Sequence, residues 1–243
     1  MLLHGQPGTG ADWQHVIDRL PPELRVIAPD RPGHGSSRRA GGGLDVNAEA
    51  VIDELDAHEI ERAVLVGHSY GGGVALRVAA GSPERVEALV LLASVGPDCL
   101  NGADLLLAAP FAGAVCSLFA WKLTPWFARA RMRHMSTRDL HPNWQVWGNT
   151  RWHNGPLWRT FLSEQKALVS DAGKFAELAG SVKVPALVLT DPRDPLVPFR
   201  TAVALTRALP DARLRLIHGS GHHLPLRAPD EVATEIVAFL DSR

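Results

Sequence analysis

The chain has few of the residues that mark disulfide-bonded or strongly charged proteins. Only two of its 243 residues are cysteines, Cys99 and Cys116, which are too few for a disulfide framework, so reduced thiols are expected. Lys and Arg together number 25 and Asp and Glu 26, and this balance leaves no strongly basic surface of the kind that binds nucleic acid. We therefore expect no nucleic-acid partner.

Long apolar segments are also scarce. The N-terminal stretch MLLHGQPGTG has neither a charged region nor an apolar core, so no secretory signal is expected there. The uncharged segment 105–121 reaches only the lower length limit of a membrane span, and Pro110 interrupts it. It is interpreted as a buried or pocket-lining helix, and the protein is predicted to be cytoplasmic, without a membrane partner.

Short apolar runs alternate with helical patterns along most of the chain. The runs predict strands at 25–29, 62–67, 86–93, 184–190 and 212–217. Helical spacing predicts helices at 46–58, 70–81, 199–209 and 229–240. Strands that are apolar throughout and separated by helices indicate a mostly parallel, doubly wound sheet, so the fold class is α/β.

This alternation stops between about residues 96 and 180, where the composition is helical and no strand is evident. Residues 1–95 and 180–243 are interpreted as the α/β core, and residues 96–179 as an inserted helical cap. Aromatic, uncharged segments over a site indicate a small-molecule substrate with an apolar part. Six of the seven tryptophans lie in this cap: Trp121, Trp126, Trp144, Trp147, Trp152 and Trp158.

A serine stands between two glycines directly after the predicted strand at 62–67. The stretch GHSYG runs from Gly67 to Gly71, with Ser69 at its centre, and it precedes a predicted helix. A sharp strand-to-helix turn would expose the Ser69 hydroxyl as a nucleophile, and side chains at positions 67 and 71 would collide with that turn. The motif alone is common by chance, so its context decides its meaning.

Partners for this serine are sought in the loops after the other strands, because ligand sites of parallel sheets lie at the carboxyl ends of the strands. The loop TDPRDPLVP offers Asp191 and Asp194 after the strand at 184–190. The loop HGSGHHLP offers three histidines after the strand at 212–217: His218, His222 and His223. The chain order is serine, aspartate, histidine, as in one known arrangement of the catalytic triad.

With these pieces in place, the sequence resembles the α/β-hydrolase superfamily, in its cap-bearing serine hydrolase branch. The matching pieces are HGQPG, DRPGHGSS, GHSYGG, DPLVP and GHH, spread from His4 to Leu240. The resemblance implies that Ser69 is the nucleophile, Asp194 the acid and His222 the base. Asp191 stands where relatives commonly have glycine, and His223 is the alternative to His222.

The resemblance also assigns the oxyanion hole to the backbone N–H groups of Gln6 and Tyr70, with His4 bracing the loop. It implies an acyl-enzyme mechanism without a metal or cofactor. The predicted function is hydrolysis of a carboxylic ester of apolar character. Carbon–carbon bond hydrolysis and cofactor-free perhydrolysis on the same fold are alternatives, and so is a ligand-binding protein without turnover.

One departure from the family lies at the start of the chain. Two further strands usually precede the strand that ends in His-Gly, whereas only residues 1–3 precede it here. Either the true start lies upstream, or the protein is a shortened member with an exposed sheet edge. Such an edge can pair with another chain, so a homodimer through it is a possible partner interaction.

Overall fold

Five parallel strands form one sheet in a computed structural model that describes residues 1–109, 111, 113, 115 and 157–243. The strands lie side by side in chain order. The arrangement confirms the predicted α/β class with a parallel sheet. The strands are β1 (Leu2–Leu3), β2 (Ala63–His68), β3 (Val86–Leu92), β4 (Ala186–Thr190) and β5 (Ala212–Leu216).

Helices connect the strands and flank the sheet. They are α1 (Gln14–Ile17), α2 (Leu44–Ala57), α3 (Tyr70–Gly81), α4 (Gly102–Ala108), α5 (Leu157–Asp171), α6 (Phe175–Gly180), α7 (Phe199–Ala208), α8 (Leu224–Arg227) and α9 (Pro229–Asp241). Within the part of the chain that the structure describes, three short 3-10 helices cover Gly10–Trp13, Pro83–Arg85 and Ala172–Lys174.

The two faces of the sheet bury two separate apolar clusters. Leu89 and Leu91 of β3 pack with α2, α3, α6 and α7, whereas Val90 and Leu92 pack with α1 and α9. Successive side chains of a strand point to opposite faces, so a strand covered on both sides must be apolar at every position. This requirement explains the unbroken run ALVLL in the central strand.

The strand predicted at 25–29 is wrong. Residues 25–29 have no strand structure, and the segment contributes one backbone bond at this edge, from the N–H of Leu2 to the carbonyl of Ile27 at 2.8 Å. The neighbouring strand β1 is only two residues long, which leaves little to pair with. Pro29 in addition has no N–H to donate.

The segment 105–121, predicted to be a buried or pocket-lining helix, is mostly not buried where it is described, with Gly113 as the exception. No residue of α4 is buried, and Leu105 and Leu106 are 54% and 53% exposed. Helix α4 is only seven residues long and packs against α5. Trp158 of the predicted cap lies on α5, and the other five cap tryptophans lie outside the described residues. Among the described residues, no helix is long and apolar enough to cross a membrane.

Candidate active site

Ser69 occupies the turn between β2 and α3 in a conformation that L-residues rarely adopt. Its φ is 55° and its ψ is −120°, and such backbone strain costs about 1–3 kcal/mol. The turn is held by neighbouring strands, since the N–H of Ser69 donates to the carbonyl of Leu92 at 2.9 Å. The surrounding structure thus holds the hydroxyl at the carboxyl end of the sheet.

The two glycines of the motif are required by close backbone approach. A Cβ at Gly67 would overlap the carbonyl oxygen of Gly71. A Cβ at Gly71 would in turn overlap the carbonyl oxygen of Leu3, in β1. The turn therefore excludes side chains at both positions, as the sequence pattern predicts.

The structure brings Ser69, His222 and Asp194 into one hydrogen-bonded chain. Nε2 of His222 lies 3.0 Å from Oγ of Ser69, and Nδ1 lies 2.7 Å from Oδ2 of Asp194. A carboxylate accepts hydrogen bonds only, so Nδ1 carries the ring proton and Nε2 accepts the hydroxyl proton of Ser69. The serine and histidine are 6% and 7% exposed, which keeps most bulk water away from both side chains.

The other oxygen of Asp194 is held by its own loop. Oδ1 accepts the N–H groups of Leu196 at 2.7 Å and of Val197 at 3.0 Å. The carboxylate is therefore fixed by two backbone donors and presents its second oxygen to His222.

Asp191, the alternative acid, binds backbone rather than the histidine ring. Its Oδ1 accepts the N–H of Arg193 at 2.9 Å and its Oδ2 that of Gly221 at 2.7 Å. Burial raises the pKa of Asp191, but these bonds and others from Gly219 and Ser220 outweigh it and lower the pKa below the usual value. Asp191 thus ties the loop that carries His222 to the end of β4.

His223, the alternative base, points elsewhere. Its ring centroid lies 5.5 Å from that of His222 in a T-shaped arrangement. Among the described residues, the hydrogen bonds to Ser69 and Asp194 come from the His222 ring.

The loop after β1 lies against the serine. A Cβ built on Gly5 would be 3.0 Å from Cβ of Ser69, so the backbone at Gly5 and Gln6 passes next to the nucleophile. Tyr70 is the first residue of α3, and the first N–H groups of a helix have no partner within it. The N–H of Tyr70 is therefore one of the groups that α3 leaves without a partner of its own. Its side chain is buried in the core, with the guanidinium of Arg31 5.0 Å from the ring centroid.

One residue of the site was missed by the sequence analysis. His68, directly before Ser69, donates from Nε2 to the backbone carbonyl of His222 at 2.8 Å. Burial lowers the pKa of His68 well below 6.5, so the ring is neutral at pH 7. It joins the turn of the serine to the loop of the histidine. Its position within the GHSYG stretch was the available signal, but the bond spans 154 positions of the chain.

Taken together, the site has the parts needed for acyl transfer. A serine hydroxyl bonded to a neutral imidazole has an acceptor for its proton, and a buried carboxylate orients that imidazole. Backbone N–H groups next to the serine are of the kind that can donate to a developing oxyanion.

Comparison with known proteins identifies relatives that include hydrolases. The chain is 31% identical to the dihydrolipoyllysine-residue acetyltransferase component of the acetoin cleaving system of Pseudomonas putida, over 99% of this chain and 62% of that protein. It is 47% identical to 2-hydroxymuconate semialdehyde hydrolase of Pseudomonas sp. strain CF600, over 40% of this chain and 36% of that protein. The chain thus spans less than two thirds of the length of these curated relatives.

Among solved structures, a thermophilic esterase from Thermogutta terrifontis superposes with a TM-score of 0.77 at 22% identity. The superposition covers 99% of this chain and 88% of the esterase. It shows a shared fold. The model of one protein family, described as the alpha/beta hydrolase family, matches residues 1–235. The chain therefore belongs to the alpha/beta hydrolase family.

Proposed function

We propose that the protein is a serine hydrolase that cleaves a carboxylic ester with an apolar part through an acyl-enzyme on Ser69. The observation that carries this proposal is the hydrogen-bonded chain from Asp194 through His222 to Ser69. His222 takes the hydroxyl proton as Ser69 attacks the carbonyl carbon. The tetrahedral oxyanion accepts hydrogen bonds from the N–H groups of Gln6 and Tyr70.

The remaining steps follow from the same groups. His222 returns the proton to the departing alcohol, which leaves the acyl group on Ser69. Water then enters, His222 takes one of its protons, and attack on the acyl carbon releases the acid and restores the serine. Asp194 keeps the ring in the required tautomer and stabilises the imidazolium that forms in each half-reaction.

Two features support an ester rather than a charged substrate. Arg31, a buried cation close to the loop at Gly5, is paired with Glu164 and so is not offered to a substrate carboxylate. An exposed apolar side chain also lies in the acid loop, since Leu196, two residues after Asp194, is 52% exposed. This side chain suits an acyl or alcohol group of apolar character.

Carbon–carbon bond hydrolysis is the second candidate. The observation that favours it is the 47% identity, over 102 residues, with a relative named as a semialdehyde hydrolase. The same serine, base and oxyanion donors serve such a reaction, but a carbon leaving group must be protonated in place of an alcohol.

The direct test measures hydrolysis of p-nitrophenyl esters from acetate to decanoate, together with labelling by a fluorophosphonate probe. We expect the wild type to turn over these esters with a preference for medium chains. Ser69→Ala should lose labelling and lose kcat by about 10⁴-fold or more, because the nucleophile is absent. His222→Gln should lose kcat to a similar extent.

His223→Gln is the matched control, since it removes a neighbouring imidazole that does not bond to Ser69. It should keep kcat within tenfold of the wild type. A folded wild type that neither turns over the esters nor reacts with the probe would refute the proposal. Stoichiometric ligand binding without turnover would then indicate a binding protein.

A further inference from the structure

A buried arginine stands behind the loop that carries Gln6. Arg31 is 3% exposed. Its Nε donates to the carbonyl of His4 at 2.9 Å, and its Nη2 donates to the carbonyl of Gly5 at 3.0 Å. Its charge is matched by Glu164 of α5, which is fully buried, and its Nη1 also donates to Asn47 at 2.7 Å.

The carbonyl of Gly5 shares one peptide group with the N–H of Gln6. In a planar trans peptide these two groups point in opposite directions. The Gly5 oxygen accepts from Nη2 of Arg31 and also from Nδ1 of His4, at 2.8 Å. With its carbonyl fixed by two donors, one of them cationic, the peptide directs the Gln6 N–H to the side away from Arg31.

The tautomer of His4 agrees with this arrangement. The backbone N–H of Arg31 donates to Nε2 of His4 at 2.9 Å, so Nδ1 carries the ring proton. Burial is the main cause that lowers the pKa of His4 well below 6.5, and the charge of Arg31 lowers it further. The ring is therefore neutral. His4 therefore donates to Gly5 at neutral pH without adding a second positive charge.

Two successive residues of α5 reach this loop. Glu164 holds the guanidinium of Arg31, and Gln165 accepts a hydrogen bond from the side-chain amide of Gln6. Gln165 also donates to Oδ1 of Asp104 in α4, at 2.6 Å. One short stretch of α5 thus holds both the anchor of the Gly5–Gln6 peptide and the Gln6 side chain.

We propose that Arg31 and Glu164 are positioning residues that aim the Gln6 N–H at the oxyanion formed on Ser69. The inference rests on the proposed function, since it assigns a role within the same reaction. Neither side chain touches the reacting atoms. Their effect is exerted on the transition state, in which the oxyanion exists, and only weakly on the bound ester.

The test compares Arg31→Lys and Glu164→Gln with the wild type. Lys keeps the positive charge opposite Glu164 but cannot donate in the several directions that the guanidinium serves. Gln keeps the shape of Glu164 and removes its charge. Lys166→Gln is the matched control, because Lys166 is an exposed residue of the same helix.

Two quantities are measured for each variant, per competent site as counted by fluorophosphonate titration. One is kcat and KM for a p-nitrophenyl ester. The other is the inhibition constant of an alkyl trifluoromethyl ketone, to which Ser69 adds so that the carbonyl oxygen becomes an oxyanion. Counting the competent sites corrects for any unfolded fraction of a variant. If Glu164→Gln yields little native protein, Arg31→Lys still tests the proposal, because it keeps the charge pair with Glu164.

We expect kcat to fall ten- to hundredfold in Arg31→Lys and Glu164→Gln, with KM changed less than threefold. The loss of a whole oxyanion donor typically costs 10²–10³ in kcat, and a misdirected donor should cost less. The ketone inhibition constant should rise by the same factor as kcat/KM falls. Lys166→Gln should match the wild type in both quantities.

Two outcomes would overturn the inference. If Arg31→Lys and Glu164→Gln keep kcat/KM and ketone affinity within threefold, the pair has no positioning role although the hydrolase function stands. The pair also has no such role if activity falls through KM while ketone affinity is unchanged. A wild type inert to ester and ketone alike would instead refute the proposed function, and this inference with it.

Discussion

Two aspartates of one loop, Asp191 and Asp194, hold His222 in different ways. Asp194 binds the ring itself, through Oδ2, while Asp191 binds the backbone N–H of Gly221, the residue directly before the histidine. The sequence left these carboxylates as alternatives because both follow β4. The structure separates them by what their oxygens bind. Asp191 thus holds the histidine loop and leaves the ring to Asp194.

Asp191→Gly should therefore impair the site without removing any group of the hydrogen-bonded chain. We expect kcat to fall about tenfold, and the free energy of unfolding to drop by about 1–3 kcal/mol, because partly buried N–H groups of Arg193 and Gly221 lose their acceptor. Steady-state kinetics on a p-nitrophenyl ester and urea unfolding would measure these changes.

Asp191→Asn is the control for Asp191→Gly, since its amide oxygen still accepts one of these bonds. It should fall between the wild type and Asp191→Gly in both measurements. Unchanged kinetics and stability in Asp191→Gly would show that the loop keeps its place without this side chain.

At the scale of elements, apolar runs predict the interior of the sheet well. The strands β2 to β5 and the helices α3, α7 and α9 lie within two residues of their predicted ends. The pattern works there because each strand is covered on both faces. It fails at 25–29, where the same kind of run lies at an edge beside a strand of two residues.

The residues of the candidate site also fall into those that local sequence patterns predict and those that they do not. Ser69, Asp194 and His222 could be found from sequence because each lies in a loop that follows a strand, and strand ends are marked by local patterns. The bond between Arg31 and Glu164 spans 133 positions, and no local sequence pattern indicates that these two residues meet. Which carbonyls an arginine binds depends on how the loop after β1 lies in three dimensions, and sequence periodicity holds no information on that.

The burial of the central strand β3 can be tested by truncating one of its core side chains. Leu91→Ala in β3 should lower the free energy of unfolding by about 2–5 kcal/mol, since Leu91 is fully buried and the truncation leaves a cavity. Urea unfolding followed by tryptophan fluorescence would measure the change.

Glu87→Ala, in the same strand but with an exposed side chain, is the comparison for Leu91→Ala. It should stay within about 0.5 kcal/mol of the wild type. Equal losses in the two variants would contradict the assignment of Leu91 to the core.

For the whole molecule, buried histidines couple stability to pH. Burial lowers the pKa values of His4, His34 and His68 below 6.5. Below pH 6.5 the unfolded chain therefore binds protons that the folded protein does not. The free energy of unfolding must then fall as the pH falls, by up to about 1.4 kcal/mol per pH unit for each such residue.

We expect unfolding midpoints in urea to decrease steadily as the pH falls from 7 to 5. His34→Gln should make this decrease shallower, because one of the three residues is removed. Midpoints that do not change between pH 8 and pH 5 would contradict the neutral state of these histidines.

The neutral state of His68 also bears on the intermediate in which His222 is charged. His68 packs against His222, with 5.0 Å between ring centroids, yet it carries no charge at pH 7. When His222 becomes an imidazolium in the proposed mechanism, it meets no cation on its neighbour. The intermediate is thus spared a repulsion of like charges between the two rings.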